Sequence, residues 1–325
     1  MIEIDRHSPT REQPESMTPP PLLPGLPVKP TPPQRVFPAE DIPAASSQAT
    51  AFRPLVDETP DQEEELQELG WEQIEPTRTR EGLHDLIDRL SLPQNSLILG
   101  ICDDGLPLVL ELSDPSPGAL LFLGDDVEGL RKHLQAVLAS VCLLSDPKQV
   151  QVDIISPQPE TFAPQKLFPH VQKVHVPDHE EMFGLLSCLF DLIEQRQRKD
   201  NSLTGKFLKE FLPTNKGPVR ILMIDQIDTL VEQLAPESLA YLRWLLRRGP
   251  AANVWVLASL NAQNAQAVDG KTLKSFGLQV GGKMRNTRQA SRLTDIPLEK
   301  LSSLVAGEQA CLKLDEVIDF SILEI

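Results

Sequence analysis

The chain has 325 residues, with 47 acids against 31 lysines and arginines and a formal net charge of −16. That balance argues against an autonomous nucleic-acid binder, because phosphate binding rests on clustered Lys and Arg. No apolar run approaches the roughly twenty residues that span a bilayer, and the N-terminus lacks an apolar signal core, so a soluble, cytoplasmic protein with no membrane partner is expected.

Residues 1–76 read as a disordered, Pro-rich, acidic tail. Fourteen of the 30 prolines precede residue 61, with Pro19-Pro20-Pro21 and Pro32-Pro33 among them. Such a stretch buries too little apolar surface to fold. Residues 1–75 hold fifteen acids and five bases, a net of −10, which leaves −6 for the other 250 residues. From Asp57 to Glu75 acids take over, and one short acidic helix is expected near Glu63 to Glu72. The tail is either a solvated linker or a docking element for a basic partner. Residues 77–325 read as one folded domain.

Within that domain, Thr79 to Leu90 has helical spacing and stops at Leu92-Pro93. Ser96 to Ile101 and Leu106 to Leu112 are apolar runs joined by Asp103-Asp104-Gly105, a hairpin signal. Gly118 to Leu123 is a strand that runs into Gly124-Asp125-Asp126-Val127-Glu128-Gly129, and a helix follows with Leu130, Leu134, Val137, Leu138 and Val141 on one face. Val150 to Ile155 is a strand. Asp178, with Glu181 three residues on, opens a helix over Met182 to Arg198. Val219 to Ile224 is a strongly apolar strand ending at Asp225. Leu239 to Arg248 is a helix, Val254 to Ala258 a strand, and Ala310 to Leu314 with Ile318 to Ile325 closes the chain as an antiparallel edge. Strands alternating with helices predict an α/β fold with a mostly parallel sheet and helices on both faces. Cys102, Cys142, Cys188 and Cys311 have no metal-ligand spacing and read as small core residues in a reducing compartment.

Gly124 and Gly129 stand five apart between strand and helix, as in a Walker A loop, GxxxxGK[ST]. In that loop backbone N–H groups wrap phosphates, the Lys neutralises them and the Ser or Thr hydroxyl holds Mg²⁺. Leu130 and Arg131 occupy the Lys and Ser/Thr positions here. Asp125, Asp126 and Glu128 set three carboxylates where a triphosphate of like charge would lie, which disfavours binding. Those carboxylates would serve the helix N-terminus in place of a phosphate. Arg131 or Lys132 swinging back to replace the missing Lys is the alternative, and an ordinary strand-to-helix turn is the plainest account of the two glycines alone. Further on, Asp225 ends a strand as the Walker B Asp does, and Gln226 follows it. Gln226 can orient a water but cannot take its proton.

These segments together resemble the FtsK/SpoIIIE and HerA group of DNA-pumping P-loop ATPases over roughly residues 96–325. The likeness is carried by Leu99-Gly100 through Asp104-Gly105, by Leu108 to Leu112 and by the loop. Ile155-Ser156-Pro157-Gln158 is similar to the family's Ile-Asp-Pro-Lys, and Phe168-Pro169-His170-Val171 to its Pro-His segment. Ile224-Asp225-Gln226-Ile227-Asp228-Thr229-Leu230 resembles Asp-Glu-x-x-Asp-Leu, and Val256-Leu257-Ala258-Ser259-Leu260-Asn261 the Leu-Ala-Thr-Gln-Arg strand end. The resemblance implies a RecA/FtsK-like P-loop NTPase fold, with Ser259 and Leu260 at the sensor position. Arg247 and Arg248 fall near arginines that reach a neighbour's nucleotide in that family; a helix C-terminus favours cations in any case. Lys271 to Arg292 holds six bases and no acid. It reads as an exposed strand and turn, with contact to DNA or an acidic neighbour as the alternative.

The departures fall on chemistry while the apolar framework is kept. The expected function is therefore a non-hydrolysing member, a pseudo-ATPase with no catalytic residue, no metal site and no cofactor. It would serve as an assembly or regulatory subunit beside an active ATPase or through self-association, touching DNA only within a complex. The alternatives are an ATP- and Mg²⁺-binding DNA translocase with an unorthodox loop, and a partner-binding module that uses the former nucleotide cleft.

Overall fold

The computed structural model describes residues 82–202 and 217–324. The Pro-rich tail and the acidic helix expected near Glu63 to Glu72 lie outside those residues, as do Thr79 to Glu81 of the first helix, which is described from Leu83 to Arg89 (α1).

Among the described residues ten strands form one sheet in the order β2-β1-β10-β9-β8-β3-β7-β6-β4-β5. The hairpin of β1 (Ser96–Cys102) and β2 (Pro107–Glu111) forms where Asp-Gly demanded it, with Gly105 at φ 80°. The central strands β3 (Leu120–Gly124), β4 (Val150–Ile155), β6 (Val219–Ile224) and β7 (Val254–Asn261) pair in parallel. Their near-continuous apolar runs suit strands covered on both faces. Successive side chains of β3 point to opposite sides. Leu121 and Leu123 meet one core layer, which includes residues of α3 (His179–Ser202) and α5 (Pro236–Arg248). Leu120 and Phe122 meet the other, built with Leu134, Val137, Leu138 and Val141 of α2 (Val127–Leu144). Helices thus cover both faces, as the alternation of elements predicts.

Asp178 caps α3 by accepting from the N–H groups of Glu180 and Glu181, each at 3.1 Å. Among the elements that went unread in the sequence are β5 (Val171–His175), an edge strand beside β4, and α4 (Ile227–Gln233), which follows β6 at once. A short α6 (Gly270–Leu273), β8 (Leu278–Gly281), α7 (Thr287–Leu293) and α8 (Leu298–Ser303) complete the chain before β9 (Gln309–Lys313) and β10 (Val317–Ser321).

Three expectations are corrected. The closing hairpin β9–β10 is not an edge: β10 pairs with β1 and β9 pairs with β8, so the first hairpin covers the last. The basic run Lys271 to Arg292 is not simply an exposed strand and turn, since β8 within it lies between β3 and β9 with Leu278 and Val280 buried. Cys188 is exposed and Cys102 half-buried, so only Cys142 and Cys311 are core residues. Burial pushes both of those thiols up to about 12. Among the described residues no helix is long and apolar enough to cross a membrane.

Candidate functional site

The C-terminal ends of β3, β7, β6 and β4 bring Gly124, Ser259, Asp225 and Ser156 to one edge of the sheet, the usual ligand side of a parallel α/β sheet. β7 lies between the strand of the loop and the strand of Asp225. All four are separated along the chain; only the strand order makes them neighbours.

The loop itself differs from expectation. α2 begins at Val127, so Gly124 ends the strand while Gly129 lies inside the first helical turn. Two residues, Asp125 and Asp126, make the whole connection, which is too short to wrap a phosphate chain. Asp125 is turned towards the segment after β8: its N–H donates to the Lys283 carbonyl at 2.9 Å and its Oδ2 accepts from the Arg285 N–H at 2.8 Å. Asp126 is the N-cap residue of α2 but makes no side-chain cap hydrogen bond, and Glu128 pairs in solvent with Lys132 at 3.7 Å. The expectation that these carboxylates cap the helix is therefore corrected; Asp125 pins a neighbouring segment instead. On the far side the backbone of Gly307 presses on Gly129, where an added Cβ would meet Gly307 Cα at 2.6 Å. The cleft between them, lined by Gly124, Asp126, Gly129, Leu130, Lys283 and Gly307, has a volume of about 20 Å³, room for about one water.

Leu130, at the Lys position, is a buried part of the core. Arg131, at the Ser/Thr position, does not swing back towards the loop, and neither does Lys132. The Arg131 Nε donates to Asp225 Oδ2 at 3.0 Å, with the guanidinium side chain 11% and the carboxylate 0% exposed. Ser156 Oγ donates to the same oxygen at 2.8 Å, and Ser259 Oγ lies 3.4 Å from Oδ1. Ser156 stands where the family has Asp, so one carboxylate of the pattern has become a donor to the other. Burying a charge is tolerable only when it is paired and hydrogen-bonded, and Asp225 receives both. Gln226 sits in the left-handed region at φ 60°, and its N–H donates to Ser259 Oγ at 2.9 Å. Ser259 therefore ties the strand end of Asp225 to β7. Leu260 is fully buried in the opposite core layer.

Mg²⁺ and a nucleoside triphosphate do not fit this arrangement. Ser156, Arg131 and Ser259 already engage the Asp225 carboxylate, a guanidinium lies where the metal's hydroxyl ligand belongs, and the loop has closed to two residues. Among the described residues no group of three or more His, Cys, Asp or Glu side chains could hold a metal ion.

Arg247 and Arg248 are exposed at the C-terminus of α5. They precede the start of β7, about 17 Å of strand from Ser259 and so at the other edge of the sheet. They are remote from this chain's own site. Residues that sequence reasoning missed include Arg243, whose guanidinium bridges Asp269 at 2.7 Å and Thr272 at 2.9 Å, fastening α5 to α6. Burial opposes ionisation of Asp269, but hydrogen bonds from Thr272 and the Arg243 charge outweigh it and hold the carboxyl well below its usual range. His133, under the cleft, is a core residue: its Nε2 contacts the Leu99 carbonyl at 2.8 Å between Phe122 and Phe320, and burial pushes it down to about 4.

No protein-family model and no curated protein matches the chain. Solved structures do. The chain is 17% identical to the cytoplasmic domain of the type VII secretion ATPase EccC of Thermomonospora curvata, covering 73% of itself and 30% of that chain at a TM-score of 0.55. It is 14% identical to ATPases 2 and 3 of EssC from Geobacillus thermodenitrificans, covering 72% of itself and 46% of that chain at a TM-score of 0.59. It is 13% identical to the pCW3 conjugation coupling protein TcpA, whose structure contains ATPγS, covering 71% of itself and 66% of that chain at a TM-score of 0.56. The chain thus spans between 30% and 66% of the length of these proteins. The fold is that of FtsK/SpoIIIE-type P-loop ATPases.

Proposed function

We propose that this P-loop ATPase-like domain neither binds nor hydrolyses nucleoside triphosphates, and that residues 77–325 act as an assembly or regulatory subunit beside an active ATPase of the same fold. The observation that carries the reading is the buried Arg131–Asp225 pair. In a working P-loop enzyme the loop hydroxyl and the Walker B carboxylate hold Mg²⁺ between them. Here Arg131, at the hydroxyl's position, supplies a fixed positive charge that neutralises Asp225 without metal or nucleotide. The framework is then kept in one state, independent of ligand. Such a domain offers its ATPase-like surfaces to neighbours without cycling, which suits a scaffold or a silent ring position. EccC, EssC and TcpA are described as ATPases or coupling proteins, and proteins of that kind are the class of partner the reading implies. Contact with DNA belongs to that complex, and the acidic residues 1–76 serve as a tether.

The test is a calorimetric titration of the full chain with ATP and MgCl₂, alongside turnover assays with and without duplex DNA. No binding below millimolar ATP and no turnover above a D225N variant are expected. Micromolar binding, or DNA-stimulated turnover lost in D225N, would overturn the proposal and favour a motor with an unorthodox loop.

A further inference from the structure

On the face of the sheet opposite α2, α3 and α5 lie side by side. Each runs back from the loop edge towards the start of the next parallel strand, α3 towards β6 and α5 towards β7, so the two helices are parallel. Their contact is aromatic: the Tyr241 ring lies 6.0 Å from Phe183 and 5.0 Å from Phe190, and Trp244 lies 4.6 Å from Phe190. Phe190, Tyr241 and Trp244 pack against the core yet stay half-buried, and Phe183 is 39% exposed. A row of rings open to water on one side is the kind of surface that another protein covers.

The outward stripe of α5 specifies the partner. Glu237, Tyr241, Trp244 and Arg248 are spaced four, three and four residues apart, the heptad spacing that lines side chains up for a second helix. Glu237 and Arg248 are exposed, and neither makes an ion pair among the described residues. Arg247, next to Arg248, bonds back to its own helix through the Arg243 carbonyl at 3.3 Å. The stripe is its own complement. A second α5 laid antiparallel, about a two-fold axis between Leu242 and Arg243, sets Glu237 against Arg248 of the second copy and Tyr241 against its Trp244. Both contacts recur across the axis, as an isologous interface demands. A parallel copy would set Glu237 on Glu237 and Arg248 on Arg248, so charge selects the antiparallel pairing. The helix dipoles favour the same choice.

We propose that this chain pairs with a second copy of itself through α5, along a seam formed by Glu237, Tyr241, Trp244 and Arg248 and flanked by Phe183 and Phe190 of α3. α5 has 13 residues and is about 20 Å long. The contact is therefore at the small end of specific interfaces, and the dimer is of micromolar strength. Pairing covers the aromatic row and gives Arg248 a carboxylate partner. The seam includes no residue of the Asp225 site, so the inference is independent of whether the loop binds nucleotide.

The experiment is sedimentation velocity of the full chain from about 1 to about 200 µM, which brackets that strength. The natural chain is expected to pass from monomer to dimer and no further. E237R sets Arg against Arg at both ends of the seam, and R248E sets Glu against Glu; each should raise the dimer Kd at least about tenfold. Both positions are exposed, so the substitutions leave the fold intact. E237R/R248E restores opposite charges and should return Kd to within about threefold of the natural value. An equimolar mixture of E237R and R248E should form heterodimers of natural strength, because every Arg of the seam then meets a Glu. A natural chain that stays monomeric at about 200 µM overturns the proposal. A dimer that neither single variant weakens overturns it in favour of another surface, and growth beyond the dimer overturns it in favour of a head-to-tail contact. Loss of the dimer in the single variants without rescue by the double variant or the mixture overturns the antiparallel seam.

Discussion

Replacing Arg131 by Met tests the internal cation directly. Met keeps an unbranched apolar stem at this position of α2 but removes the guanidinium that bonds Asp225 at 3.0 Å. The carboxylate is then left fully buried with only Ser156 and Ser259 as donors. Removing one partner of a buried ion pair costs about 3–5 kcal/mol, because the other charge stays uncompensated. Two remaining hydroxyl donors and the 11% exposure of the arginine argue for the lower end, about 3 kcal/mol. For a domain of this size that lowers Tm by roughly 6–12 °C. Urea unfolding of R131M, D225N and the double variant provides the cycle. D225N in the R131M background should recover much of the loss, giving a coupling of at least about 1.5 kcal/mol. A loss under about 1 kcal/mol with no coupling would mean that the pair neither holds the site together nor replaces a metal.

Two further outcomes follow from the same geometry. Gly129→Ala places a Cβ 2.6 Å from Gly307 Cα and 2.9 Å from its N, so the helix-propensity gain should be outweighed by overpacking; a net loss of about 1 kcal/mol or more is expected in denaturant unfolding. Stability should also fall with acid through His133, whose ordinary value of 6.5 drops to about 4 in the fold by burial, the Leu99 contact opposing. A folded value below the unfolded one means that the unfolded chain binds the extra proton, so stability is complete above pH 6.5 and is lost as pH falls. About 2 kcal/mol should disappear between pH 6.5 and 5. His175 acts in the other direction. Burial lowers its pKa, but the Asp153 carboxylate 3.6 Å away and the hydrogen bond to Glu181 outweigh burial and raise it. Its contribution is therefore complete below 6.5 and lost as pH rises through the raised value, leaving the acid slope to His133. Urea midpoints across that range should show a shallower slope in H133L.

The sequence by itself determined the layers and which residues stand at the Walker A and Walker B positions. Period-two and continuous apolar runs fixed β3, β6 and β7 because a strand covered on both faces must be apolar throughout. Asp103-Asp104-Gly105 fixed the first hairpin through the positive φ at Gly105. The missing Lys, Ser/Thr and Glu were legible as letters at Leu130, Arg131 and Gln226. Two strands were not legible: β5 has Gln172 and Lys173 exposed and so lacks an apolar run, and β8 is only four residues long.

Only tertiary structure decided which groups Arg131 and Asp225 meet. Arg131 and Asp225 are 94 residues apart, and no local pattern says that a side chain on α2 reaches the end of β6 across β7. The requirement that a buried carboxylate find donors brings Arg131, Ser156 and Ser259 to one oxygen pair. Likewise the loop's closure depends on Gly307 and on the segment around Lys283, which arrive at Gly129 and Asp125 through the pairing of β8 and β9. Spacing within the chain named the positions; the order of strands in the sheet determined which charges meet.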